Sequence, residues 1–390
     1  MNSIIDTLRA TQEEFIRMRH HFHQHPEIGF EEHQTSQQIA DYLQPLGYHV
    51  TRGVGGTGVV ATLSQGSSRN TLGLRADMDA LPIQEKNSTP WISQIAGKFH
   101  GCGHDGHSTM LLCAARYLAE TRRFNGTLHL IFQPAEELLY GAKVMLEDGL
   151  FQRFPCDAVF AMHNMPGIKA GEFCFREGPL MASSDTIHIE ISGKGAHGAM
   201  PEQGIDATLV ACQIACALQT IVARNIPPKE AAVITVGCIQ SGEAPNVVND
   251  YALMKLTVRA LDNNVRSKLL ARIRAIAESQ ASGFGAEVSI THVNGCPILV
   301  NPAKETAFAV QVAQALVGED KLHTAVPAVM GSEDFAFMLE ANPHGCYLML
   351  GNGDQPGYCH VHNPGYDFND QIIVTGAAYW AALTEAWLSE

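Results

Sequence analysis

Apolar residues recur along this chain at two spacings, and their alternation predicts the architecture. Leu8, Phe15, Ile16 and Phe22 follow helical spacing, which predicts a helix over 6–25 ending before Pro26. A second helix is expected over 33–46, followed by short strands at 48–51 and 58–63 around a glycine-rich turn. Residues 72–76 read as an apolar strand that delivers Asp77 and Asp79 at its C-terminal end. Residues 108–119, rich in Leu, Ala and Met, read as a buried helix. A strand over 127–133, a helix over 137–147 and a strand over 158–162 ending at His163 follow. Such alternation predicts a mostly parallel sheet with helices on both faces.

The texture changes near residue 184. Strands are expected at 186–192, 232–239, 252–261 and 286–293, with helices at 206–224 and 265–282. That order, βαββαβ, is the ferredoxin-like split motif. A helix over 303–318, a strand over 345–350 and a helix over 369–388 complete the chain. The fold class is therefore α/β: a mixed, mostly parallel sheet domain formed by 1–183 and 294–390, with a ferredoxin-like domain inserted at 184–293. A length of 390 residues agrees with two domains.

Composition narrows the partners. Hydrophobic residues make up 46% and charged residues 17%, as in ordinary globular enzymes. The net charge of −14, without any Lys- or Arg-rich run, argues against nucleic acid and anionic membranes. Residues 1–9 lack the basic start and apolar core of a secretory signal, and no uninterrupted apolar stretch long enough for a bilayer is expected. The ten cysteines include Cys113, Cys212 and Cys216 in apolar settings, which read as buried free thiols of a cytoplasmic protein.

The chemistry concentrates in His100–His107, where Cys102 lies among His100, His104 and His107, flanked by glycines. Glycine permits the tight backbone path that turns a thiolate and an imidazole toward one point. Three more ligand-rich patches follow: Glu136-Glu137, Met162-His163-Asn164 and His360-Val-His-Asn363. Cys102, His104, Glu137, His163 and one histidine of the last patch supply zinc-type ligands. Five ligands exceed one tetrahedral ion but suit two ions about 3.5–4 Å apart. In the acid pair, one carboxylate can bind metal while its neighbour takes a proton from water. Spacing alone does not choose between His360 and His362. The acid pair in isolation also reads as helix N-terminal acids, and Asp77 or Asp79 as turn formers or as supports for a ligand histidine. The histidines at 20, 21, 23 and 25 point several ways on a helix and read as structural.

Together these segments resemble the aminoacylase/carboxypeptidase G clan of dinuclear metallohydrolases, and within it the hippurate hydrolase and indole-acetyl-amino-acid hydrolase group. The likeness spans nearly the whole chain, through His25-Pro-Glu27, Arg75–Pro82, His100–His107, Phe132–Glu137, Met162–Asn164, Gly195–Pro201, Gly331–Phe335 and His362–Asp370. It implies an N-acyl amino acid amidohydrolase with a catalytic domain, an inserted lid and two divalent ions (zinc, manganese, cobalt or nickel). Carried over by motif, the ligands are Cys102 as bridge, His104, Glu137, His163 and His362, with Glu136 as general base. The resemblance makes His197 a lid residue that polarises the substrate carbonyl, often across a dimer interface. It makes Asn246 and Arg259 contacts for the substrate carboxylate, while Asp77, from its place at the strand end, is read as a support behind the ligands. Lid closure implies hinges near 183 and 293, and the expected partners are a small N-acyl amino acid and a second copy through the lid. Dipeptidase or deacetylase chemistry on the same site is the alternative, and a non-catalytic protein with a structural metal is the rival class. Two departures bear on the acyl pocket: Leu138-Leu-Tyr140 replaces a run of glycines, and Glu202 stands where relatives often carry histidine.

Overall fold

The computed structural model describes residues 2–389, and these divide into two compact units. The larger takes in the chain up to Gly178, Val300–Pro327 and the part from Asp334 onward. Its sheet runs, edge to edge, His49–Val54, Gly58–Gln65, Gly126–Gln133, Thr71–Asp77, Ala158–Pro166, Gly345–Gly353, Phe173–Cys174 and Leu322–His323. The four strands at its centre, from Gly126–Gln133 to Gly345–Gly353, are mutually parallel, whereas His49–Val54 and Gly58–Gln65 form an antiparallel edge. Central strands buried on both faces need continuous apolar runs, and Leu72, Leu74, Leu128, Leu130, Phe132, Val159 and Phe160 supply them. Helix Ile373–Trp387 is apolar nearly all round and correspondingly buried, and His104–Thr121 is buried along most of its length although its first turns carry His104, Asp105, His107, Ser108 and Thr109.

The smaller unit comprises Pro179–Leu299 and Ala328–Glu333, so it is wider than the 184–293 expected. The late segment joins it through backbone bonds from Ala182 N–H to the Val329 and Gly331 carbonyls. Four antiparallel strands run in the order Ala232–Gln240, Tyr251–Ala260, Ser183–Ser192, Glu287–Cys296, which is the ferredoxin-like order. Ile187, Ile189 and Ile191 alternate inward beneath helices Ala207–Asn225 and Asn263–Gly283. Both helices begin where sequence chemistry says they should: Asp206 and Asp262 accept two backbone N–H groups each as N-caps.

Several expected elements change. The helix over 6–25 is two helices, Asn2–Arg9 and Gln12–Gln24, because Thr11 folds back to bond the Leu8 carbonyl through both its N–H and its hydroxyl. The helix expected over 137–147 begins only at Gly141, behind a single 3-10 turn at Glu136–Leu138. The helix expected from Ser108 starts earlier, so His104 is its first residue and not a loop residue. Among the described residues one helix, Ala207–Asn225, is long and apolar enough by length and composition to cross a membrane, although Gln213, Gln219 and Arg224 interrupt its apolar run. Its Val210, Ile214, Leu218 and Ile221 lie in the core of the smaller unit instead.

Candidate metal centre

The central parallel strands bring their C-terminal ends to one edge of the larger sheet. The chain leaves Thr71–Asp77 toward one side and Ala158–Pro166 toward the other, which opens the crevice where α/β sites assemble. Asp79 lies just past the first strand, Glu136 and Glu137 just past Gly126–Gln133, and His163 within Ala158–Pro166. The loop ending at Gly103 reaches the same edge. Gly103 holds φ +92°, and a Cβ there would strike the Asn164 amide and the Tyr366 hydroxyl.

Two ligand groups form around one sulfur. Cys102, His104 and His163 offer donor atoms mutually within 4.8 Å, and so do Cys102, Glu137 and His362. His104, Glu136 and Glu137 make a third such group. The Cys102 Sγ lies 3.3 Å from His163 Nε2, and His362 Nε2 lies 3.3 Å from Glu137 Oε1. His104 Nε2 lies 3.9 Å from Glu137 Oε1 and 4.0 Å from Glu136 Oε2. His360 is an exposed residue stacked edge-on to Tyr358, so His362 is the histidine of its pair that meets the acids.

Hydrogen bonds behind these atoms fix which lone pairs face inward. Asp79 accepts the His104 Nδ1–H at 3.1 Å, and the Asn164 carbonyl accepts the His163 Nδ1–H at 2.5 Å. Both rings therefore aim Nε2 toward Cys102 and the acids. Asp79, and not Asp77, supports His104. Asp77 instead accepts from Arg75 at 2.8 Å and from His107 Nδ1 at 2.6 Å. His107 Nε2 in turn accepts the Asn164 N–H at 3.0 Å, so both its nitrogens are used. Asn164 extends the chain by donating to the Cys102 carbonyl and accepting from the Tyr366 hydroxyl. Arg75, Asn164, Tyr366 and Glu32 carry no role in the sequence reading. A charged residue inside an apolar strand was a usable signal for Arg75; the others act through contacts that only the fold creates.

The acids stand on a strained turn. Ala135 and Leu139, which bracket them, hold φ values of +51° and +52°. Non-glycine residues there cost about 1–3 kcal/mol each and persist only where their surroundings enforce them. Three buried carboxylates enforce them here, each accepting one backbone N–H: Glu32 from Ala135 at 2.8 Å, Asp79 from Glu137 at 3.0 Å and Asp334 from Ala142 at 2.9 Å. Gly141 closes the turn, since a Cβ would overlap the Pro134 carbonyl.

The fit to a cation follows from the charge. Burial, then Glu137, Glu136 and Asp77, hold the Cys102 thiol well above its usual range. At His104 burial works against the charge, but Asp77 and Asp79 outweigh it and raise the ring to about 10. Surplus negative charge thus keeps protons on two candidate ligands, and divalent cations reverse that balance. His104 Nε2 and Glu137 Oε1 are buried without a hydrogen-bond partner among the described residues. Thiol, imidazole and carboxylate donors, two of them orphaned, fit metal ions.

The remaining expected site residues lie in the smaller unit. His197 is exposed on the short strand Ala196–His197, and its Nδ1 accepts the Ala199 N–H at 3.0 Å. Its neutral ring therefore carries the proton on Nε2. Asn246 is exposed, and its carbonyl accepts the Gly198 N–H. Half-buried Arg259 spends Nη1 on the Met330 carbonyl and the Ser332 hydroxyl. Leu138, Tyr140 and Glu202 are exposed.

The family model described as Peptidase family M20/M25/M40 matches residues 73–386. The hippurate hydrolase of Campylobacter jejuni is 42% identical over 386 residues, covering 99% of this chain and 100% of that protein. The N-acetyl-L-cysteine deacetylase of Bacillus subtilis is 36% identical, covering 95% and 88%. A solved Bacillus subtilis structure described as a dinuclear metal-binding peptidase of the M20 family superposes with a TM-score of 0.84. It is 31% identical and covers 97% of this chain and 99% of its own.

Proposed function

The chain belongs to peptidase family M20/M25/M40, and we propose that it is a metal-dependent amidohydrolase that cleaves N-acyl amino acids to a carboxylic acid and a free amino acid. The observation that carries this reading is the pair of ligand groups sharing Cys102, with the acid pair beside them. Cys102, His104, Glu137, His163 and His362 would hold two divalent ions. Bound there, such ions supply Lewis acidity to an amide carbonyl and acidify a water.

The protein's own groups do the rest. Glu136, buried and 4.0 Å from His104 Nε2, takes the proton of the attacking water and delivers it to the leaving amine. The His197 Nε2–H is the donor suited to the carbonyl oxygen as it gains charge. Asn246 and the unspent guanidinium nitrogens of Arg259 are the groups for the substrate carboxylate. The smaller unit then acts as the lid, and a second copy of the chain is its partner. Ten free cysteines support a reducing, cytoplasmic setting.

A hydrolysis screen on hippurate, N-acetyl and indole-acetyl amino acids, with metal content measured alongside, tests the reading. Turnover with two exchangeable ions per chain, lost to chelator and restored by zinc, manganese, cobalt or nickel, is the expected result. One inert ion and no turnover on any of them would sink it.

A further inference from the structure

Glu32 is fully buried yet belongs to none of the ligand groups. It precedes helix His33–Leu43, more than a hundred residues from the acids in sequence. Its Oε2 accepts the Thr57 hydroxyl at 2.5 Å and its Oε1 accepts the Ala135 N–H at 2.8 Å. No cationic side chain pairs with it among the described residues. A carboxylate buried under those terms needs a reason, since an apolar side chain would avoid the desolvation.

The reason lies in what Ala135 does. It is the last residue before Glu136, and its left-handed backbone sets the direction in which the acid pair leaves strand Gly126–Gln133. Gly29, three residues before Glu32, packs against the Ala135 side chain too closely to admit a Cβ without adjustment. One short segment thus grips Ala135 from two sides. We propose that Glu32 is a positioning residue for the reaction: its Oε1 holds the Ala135 N–H and thereby aims Glu136 at water and Glu137 at metal. The proposal rests on the roles given above to those two acids.

What matters in this arrangement is acceptor reach, not charge. Burial lifts the Glu32 carboxyl to about 7, against the Thr57 hydrogen bond and with help from Asp79, so the group lies close to neutrality as it stands. A glutamine fills the same space: its amide oxygen can accept the Ala135 N–H while its NH2 donates to the Thr57 oxygen. An aspartate keeps the charge but withdraws the acceptor by one methylene.

The test compares Glu32→Gln with Glu32→Asp in full-length, metal-loaded protein. It reads kcat, KM, thermal midpoint, and zinc affinity by chelator competition. Glu32→Gln should stay within threefold of the parent in kcat and zinc affinity. Glu32→Asp should lose at least tenfold in kcat and bind zinc more weakly, with KM little changed. Parental kcat and zinc affinity in Glu32→Asp would overturn the proposal, whether or not its thermal midpoint falls. Losses in Glu32→Gln as large as in Glu32→Asp would overturn it as well, because charge would then be the requirement. A parent protein inactive on every N-acyl amino acid would instead refute the functional reading, while the zinc comparison would still judge Glu32.

Discussion

Asp79 and His104 meet across 3.1 Å, Oδ1 to Nδ1, and the bond turns His104 Nε2 toward Glu136 and Glu137. The second Asp79 oxygen holds the Glu137 N–H, so one carboxylate orients an imidazole and an acid on two separate segments. Asp79→Asn should therefore weaken metal binding about 10- to 100-fold. Chelator competition at neutral pH measures it, and an affinity equal to the parent's would show that Asp79 orients nothing of consequence.

Glu136→Gln separates binding from proton transfer. The amide cannot take a proton, whereas the five proposed ligands remain. Both ions should stay bound while turnover falls by about two to four orders of magnitude, the range of general acid–base catalysis. Metal analysis and a steady-state assay on one preparation decide it, and near-parental kcat would remove Glu136 from the mechanism.

Arg75 is a stability site. Its buried guanidinium bonds Asp77 at 2.8 Å, Gln133 at 2.8 Å and Asp334 at 3.3 Å. Arg75→Met fills the volume but removes the guanidinium from two buried carboxylates, Asp77 and Asp334. The loss should be about 3–5 kcal/mol in urea unfolding of the metal-free protein. A loss under about 1 kcal/mol would mean that the carboxylates are satisfied by other means.

Acid should destabilise the larger unit through His129, away from the metal ligands. Burial lowers this ring to about 4, against the hydrogen bond that the ring N–H donates to the Pro155 carbonyl. Its Nδ1 meets the Thr62 hydroxyl at 2.8 Å. The unfolded ring titrates near 6.5, so the unfolded state binds the extra proton. This contribution is complete above about pH 6.5 and is lost as pH falls toward 4. Unfolding free energies at pH 7 and pH 5 for the parent and His129→Gln should converge at the lower pH. Parallel pH dependences would count against His129 as their source.

Much of the centre could be read in the chain because ligand chemistry is local. Cys102 and His104 share one glycine-flanked stretch, the two acids are adjacent, and His163 closes an apolar strand. Strand ends of a parallel sheet gather at one edge, so periodicity alone placed these patches together. Local pattern did not reveal where a helix breaks. The turn at Ala135–Leu139 has no glycine at its left-handed positions, and helical spacing runs straight through it. The same holds at Thr11, where a side-chain bond to Leu8 interrupts an otherwise continuous pattern.

By itself, the sequence determined the α/β class, the inserted βαββαβ motif and the residue types available for a two-metal centre. These depend on hydrophobic period and on side-chain chemistry, which each residue carries wherever it lies. Only the tertiary structure decided which aspartate serves His104, that His107 has both nitrogens engaged, and that Glu32 reaches Ala135. Those relationships are hydrogen bonds between segments 25 to 103 residues apart, and a difference of one bond length makes or breaks them. Nothing in the spacing of residues along the chain encodes such a distance.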